Sequence, residues 1–317
     1  MANTFSGVDA VDVGGAGNYI PELWSDEVLA VYKANLVLVQ LVTTLDFHGI
    51  KGDTIRIPQP TRGSVSAKAN DSVVTLIGES NTQFSLVINN HFEYSRLIED
   101  IAAVQAMDSM RQFYTDDAGY ALAIQVDTDL GNICEGFAAA ATVPTTAGTA
   151  WDESVIGSDG STQWTDQASG NGAALTDAGI RRAIQYLDAS NVPARDRALV
   201  VGVVEKRKLL GLPRFTEQSF VGEAGSANSI RTGLIGNIYG VPVYVTSNIP
   251  TDDANDSTTY DMCLLFQKEA VLFVEQLGPR TQTQYKQEFL ADLFTADQVY
   301  EPGLMRPEAG IAIAVPQ

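Results

Sequence analysis

The clearest pattern in the chain is an alternation of apolar and polar positions on either side of a long polar segment. Thr54-Ile55-Arg56-Ile57 alternates and runs into Pro58 and Pro60, and Phe84, Leu86 and Ile88 alternate with Gln83, Ser85 and Val87. Period two marks a half-buried strand. The pattern therefore predicts two arms of a hairpin, entered through a turn at Gly49–Asp53. Between the arms lie 25 residues, Pro58 to Thr82, rich in Ser, Gly, Asn and Thr. That exceeds the connections compact domains ordinarily contain, and a lone two-stranded hairpin is marginal in water. The segment is expected to find a packing partner elsewhere.

A helical period follows. The 47 residues from Ser95 to Ala141 contain no proline. Leu97, Ile101, Val104, Met110, Phe113, Tyr120, Ile124, Ile133 and Phe137 recur at intervals of three, four or their multiples. Ser95 suits an N-cap, with Glu99 and Asp100 in the first turn. A continuous helix of this span is roughly 65–70 Å long at 1.5 Å per residue, and Gly119, Gly131 and Gly136 are places for it to bend or end. The heptad is not sustained, so a coiled coil is a poor reading.

Upstream, the first 18 residues are small, polar and glycine-rich and form an arm. Pro21 opens a helix with Trp24, Val28, Val31 and Tyr32 on one face. Leu36–Val39 fits a helix or a strand. Downstream, Val143–Asn171 is a loop or small hairpin carrying Trp151 and Trp164. Thr176 caps a helix with Ile180, Ala183, Ile184 and Leu187 at helical spacing, stopped at Asn191-Val192-Pro193. Ala198–Val204 is a buried strand and Glu205–Leu210 a short helix. Gly236 and Gly240 punctuate a turn before a strand at Val241, Val243 and Val245. Met262–Phe266, Val271–Glu275 and Ile311–Val315 are further strands.

Composition narrows the classes. The length of 317 residues allows about two domains. A formal net charge of −19 argues against an outer face built for nucleic acid, which needs a basic stripe. Two cysteines, Cys134 and Cys263, exclude a disulfide scaffold and a multi-cysteine zinc site, and read as buried thiols in a reducing compartment. Residues 1–20 contain no Lys or Arg, so no secretory leader is expected, and no apolar run is long enough to span a membrane.

No catalytic constellation emerges. His48 and His91 have no partners at catalytic or metal-ligand spacing and read as structural. The nucleophile elbow, zincin and P-loop motifs are missing, as is a Rossmann glycine pattern. Gly233–Gly236 matches the clamp of an RNA-binding loop but lacks basic flanks. Asp252, Asp253, Asn255 and Asp256 lack the glycine and glutamate of a calcium loop and read as a solvated acidic loop. Lys206-Arg207-Lys208 is a solvated face or a set of salt-bridge partners. Asp127 and Asp129 point to different sides of their helix. No catalytic, metal or cofactor residue is assigned.

An arm, a long hairpin and a very long helix cannot all bury their apolar faces on one small α/β core, and large unburied stripes drive association. The residues thus describe a structural subunit completed by its neighbours. Two other readings stay open at this level: a soluble α/β enzyme or binding module, and a filament or sheath protein.

The order of elements is itself informative. An arm with Ile20-Pro21-Glu22-Leu23-Trp24-Ser25, an extended hairpin, a spine helix, then helix–strand–helix resembles the major capsid proteins of tailed double-stranded DNA phages, with the HK97-like fold. Gly233–Pro250 resembles that family's turn-and-strand signature through Gly236, Gly240 and Pro242. The resemblance implies an α+β chain with an N-terminal arm over 1–50 and an E-loop over 51–91. It implies a peripheral domain with the spine helix over 92–145, an axial domain over 146–265 and a peripheral return over 266–317. It further implies hexamers and pentamers in an icosahedral head around DNA, located in the virion and assembled in the host cytoplasm. Inter-subunit contacts are then expected at Trp24, Ile55, Arg56, Ile57, Lys68, Phe84, Leu86 and Ile88. Lys68 lies where some members carry a crosslinking lysine, but non-covalent locking is the expectation here. The implied partners are other copies of the chain, portal, scaffolding and decoration proteins, and weakly held DNA; a scaffold, if any, is separate.

Overall fold

In the computed structural model the described residues are 37–48, 51–60, 63–74, 76, 78, 81–100, 109–137, 155–157, 174–211, 236–253 and 259–317. The arm and its helix, Trp24 included, lie outside them.

The continuous apolar runs of the second half become strands covered on both faces. β10 (Thr259–Gln267) and β13 (Gly310–Pro316) pair antiparallel, Leu264 opposite Ala312. Side chains along a strand alternate between faces. Met262, Leu264, Phe266, Ala312 and Ala314 join one core, and Cys263, Leu265, Ile311, Ile313 and Val315 join another. The second core is closed by α3 (Asp177–Ala189) through Ile180, Ala183 and Leu187. Thr176 caps that helix as predicted, its side chain accepting from the Gly179 N–H at 3.1 Å.

These strands belong to a seven-stranded sheet of order β5-β13-β10-β6-β8-β7, with β9 (Thr251–Asp253) also on β10. β5 is Val155–Gly157, β6 Arg197–Val201, β7 Asn237–Ile238 and β8 Val241–Val245. β6 is buried at every position and lies between β10 and a parallel β8. The strand expected over 198–204 ends at Val201: Gly202 turns the chain, and Val203 and Val204 open α4 (Val203–Leu210) instead. Helical geometry at that start turns Val203 outward, to 57% exposure.

A second sheet has the order β1-β11-β12-β4. Its strands are Thr43–Asp46, Val271–Lys286, Ala291–Leu304 and Asn90–Glu99. The short helix α1 (Leu38–Leu41) precedes β1, so Leu38 and Val39, which fitted a helix or a strand, are helical. Ser95 and Leu97 stand in β4 opposite Thr295 and Leu293, not in a helix. Of the expected long helix, the described residues show α2 (Ser109–Ile133). Its buried stripe is Ala118, Leu122, Val126 and Leu130, continuing to Cys134 and Phe137, while Tyr120, Ile124 and Ile133 are only half-buried.

α2 ties the two sheets together. Ala118 and Leu122 pack on Phe294 and Ala296 of β12 and on Phe92 and Tyr94 of β4. Val126, Leu130 and Phe137 share a core with β10, β13, Phe273 and Tyr300. Gly310 makes the closest approach possible: a Cβ there would lie 2.3 Å from Phe137. Of residues 266–317, expected to return together, β11 and β12 lie in the four-stranded sheet and β13 in the seven-stranded one.

Candidate assembly interface

β2 (Thr54–Pro60) and β3 (Asn81–Val87) form the predicted hairpin, with Ile55 opposite Leu86 and Ile57 opposite Phe84. The inward face carries Ile55, Ile57, Phe84, Leu86 and Ile88. All five pack in one cluster with Leu272 and Val274 of β11 in the same chain. Gly303 on β12 makes room for them, since a Cβ there would lie 2.8 Å from Leu86 and 3.1 Å from Phe84. These five, expected at a contact with a neighbouring subunit, thus pack within the chain itself. Alternation marks a face that must be covered, and β11 and β12 already cover this one.

Polar contacts fasten the root of the hairpin on several sides. The Ile88 N–H donates to the Asp53 carbonyl at 2.8 Å, and Gln276 Nε2 donates to the Gly52 carbonyl at 2.9 Å. Glu301 Oε2 accepts the backbone N–H groups of Asn89 and Asn90. The Gly278 N–H, at an irregular stretch of β11, donates to His48 Nε2 at 2.8 Å. The other imidazole nitrogen meets Asp46, whose carboxyl is held below its usual range by the backbone and side chain of His48. His48 is raised by the same carboxylate. His91 likewise has a structural partner in Asp297, which also takes a bidentate contact from Arg280 at 2.8 and 2.9 Å.

The opposite face and the tip are uncovered. Arg56, Gln83 and Ser85 are exposed, as is every residue from Ser64 to Val74, Lys68 among them. The tip carries exposed apolar side chains among its polar ones: Val65 is 103% exposed, Val73 89% and Leu76 88%. Scattered exposed apolar residues are ordinary, but a group carried on a projecting loop marks a contact surface. At the far end of β11 and β12, Phe289 and Leu290 are also exposed.

The turn predicted at Gly236 and Gly240 is formed as the glycines require. Gly236 and Gly240 have φ of +67° and +83°, in the left-handed region that glycine adopts without a Cβ penalty. Pro242 pairs with Asn237 on the short β7–β8 ladder.

No group of residues suited to holding a metal occurs among the described residues, and no helix among them is long and apolar enough to cross a membrane. A cleft of about 750 Å³ lies between the hairpin root, the Ser190–Pro193 turn and Met305–Ala309. Its only charged lining residues are Arg306 and Glu308, with no nucleophile and base paired there.

A family model described as phage capsid protein matches residues 94–311. Among solved structures, the chain is similar to that of Mycobacterium phage Che8, at 24% identity and a TM-score of 0.72, covering 93% of this chain and 97% of that one. It is also similar to the capsid structure of the cyanophage P-SCSP1u, at 17% identity and a TM-score of 0.71, covering 95% and 94%. The mature capsid of bacteriophage PhiM1 gives 14% identity and a TM-score of 0.69, covering 93% and 92%. Among curated protein sequences, none matches. The matched span and the HK97-like α+β fold agree: the chain belongs to the phage capsid protein family, as a structural and non-enzymatic member.

Proposed function

We propose that this chain is the repeating subunit of an icosahedral phage head that assembles as hexamers and pentamers around double-stranded DNA. The observation that carries the reading is the hairpin. Its inner face is satisfied within the chain, while Val65, Val73, Val74 and Leu76 project into solvent. Burial of such side chains against a second copy is favourable by about 25 cal/mol per Å² of apolar area. Arg56 and Lys68, exposed on the same hairpin, face the neighbouring copy in this arrangement, where acidic groups abound. Trp24 supplies a further contact from the arm.

The excess of acidic residues suits the contents of a head. A negative inner wall repels phosphate, so DNA slides during packaging instead of sticking. Portal, scaffolding and decoration proteins are the expected further partners, and assembly takes place in the host cytoplasm. Negative-stain microscopy of the purified chain tests the reading. Closed shells or ring-shaped capsomers are expected. Monodisperse small particles at high concentration, or open tubes, would overturn it.

A further inference from the structure

Glu205 stands in the first turn of α4 with its side chain fully buried, and Asp261 on β10 is 3% exposed. The two carboxyls meet over Gly202. A Cβ on that glycine would lie 2.5 Å from Asp261 Oδ2 and 2.6 Å from Glu205 Oε2. The backbone has no side chain there, and the space is filled by the two acids. Glu205 Oε2 has no hydrogen-bond acceptor role filled: it is buried without a partner among the described residues.

The charges around the pair do not balance. From α4 comes one ammonium, Lys208 Nζ, 3.5 Å from Glu205 Oε1. From β10 comes the Cys263 thiol, which burial first and then Glu205 hold well above its ordinary pKa, so it stays neutral. From the end of β13 comes the Pro316 carbonyl, which accepts from Lys208, and from the residue after it the Gln317 side-chain amide, which donates to Asp261 Oδ1 at 2.6 Å. Two carboxylates against one ammonium leave a buried negative charge, which a low-dielectric interior strongly disfavours. A proton on Glu205 removes that charge and turns Oε2 into a donor toward Asp261.

We propose that Glu205 and Asp261 share one proton, and that this proton latches residues 315–317 onto the seven-stranded sheet. Besides the β10–β13 ladder and the burial of Val315, the side-chain contacts that hold these residues come from Lys208 and go to Asp261, and both partners belong to the pair's own network. When the proton leaves, like charges push Asp261 and Glu205 apart and both contacts lose their geometry. Burial, followed by the hydrogen bond to Asp261, raises the Glu205 pKa from 4.5 to about 7. A carboxyl raised in the closed state favours that state fully below its ordinary pKa, and the advantage is lost as pH rises through about 7.

Hydrogen exchange of the full-length chain, followed by mass spectrometry and corrected for intrinsic rates, tests the latch. Opening of the 315–317 segment is expected to rise by about tenfold per pH unit as pH climbs toward 7, then to level off. In Glu205→Gln, which keeps a donor without a titrating proton, the same segment should be flat with pH. A flat wild-type profile, or an unchanged slope in Glu205→Gln, overturns the proposal. Should that variant not fold, the infrared carbonyl band of a protonated buried carboxyl in the wild-type chain decides: it must fade over the same pH range, and its absence at pH near 5 refutes the shared proton.

Discussion

The backbone N–H of Leu38 donates to Asp127 Oδ1 at 2.9 Å, a bond across 89 positions that fixes the start of α1 against the middle of the spine helix α2. Leu38 is the first residue of α1, whose N-cap Val37 offers no side-chain acceptor. Asp127 fills that role from another element. It also takes Asn248 Nδ2, while its neighbour Asp129 accepts from the Tyr300 hydroxyl at 2.6 Å. Burial raises the Asp127 pKa and the Leu38 N–H lowers it. Asp127→Ala leaves a buried donor unmatched, and thermal or urea unfolding should show a loss of about 1–3 kcal/mol.

Two glycines of the same helix should respond in opposite senses. Gly119 has nothing within 4 Å of an added Cβ. Gly119→Ala should stabilise by about 0.4–1 kcal/mol through the unfolded chain. Gly131 faces the Pro250 ring at 2.8 and 3.0 Å, and a ring closed on its own backbone cannot move aside as the end of a flexible side chain does. Gly131→Ala should destabilise by about 1–3 kcal/mol. Denaturant midpoints of the two variants, compared directly, check the pair.

The two sides of the hairpin should separate stability from assembly. Ile55 is 7% exposed in the cluster with Leu272 and Val274, so Ile55→Ala should cost about 2–5 kcal/mol in unfolding experiments. Val73→Ser combined with Leu76→Ser removes exposed side chains and should change subunit stability by less than about 0.5 kcal/mol per site. The double variant should nevertheless lose particles in light scattering and microscopy. Normal shells from it would show that the tip is not a contact surface.

Acid should weaken the four-stranded sheet through Asp297. Its carboxyl is held below the usual 3.8, first by the hydrogen bond from Arg280 and then by His91. A depressed carboxyl contributes stability above its unfolded pKa and loses it as pH falls through the folded one. Unfolding followed from pH 6 to pH 2 should therefore show a shallower acid limb in Asp297→Asn than in the wild-type chain.

How much of this was legible depends on where the stabilising partner lies. The β2–β3 hairpin was readable because its alternation is local and complete. The same alternation does not say whose surface covers it, and here that surface is β11, more than 180 residues away in sequence. Ser95 and Leu97 fit a helix on local grounds, with no proline and carboxylates placed for a first turn. They are in a strand because β12 supplies a ladder from Ala291 to Tyr300, which local propensity cannot foresee. The buried stripe of α2 was displaced from the expected one because it uses Ala118 and Cys134, small residues that a search for large apolar side chains passes over. The Glu205–Asp261 pair lies 56 positions apart and carries no motif at all. Only the approach of α4 to β10 over Gly202 creates it.

The position of β13 has a consequence for synthesis. It lies between β10 and β5, so the middle of the larger sheet stays open until residues 310–316 have left the ribosome. A growing chain cannot finish either of the cores that share this strand. One strand thus couples the two cores, and neither closes before the other can.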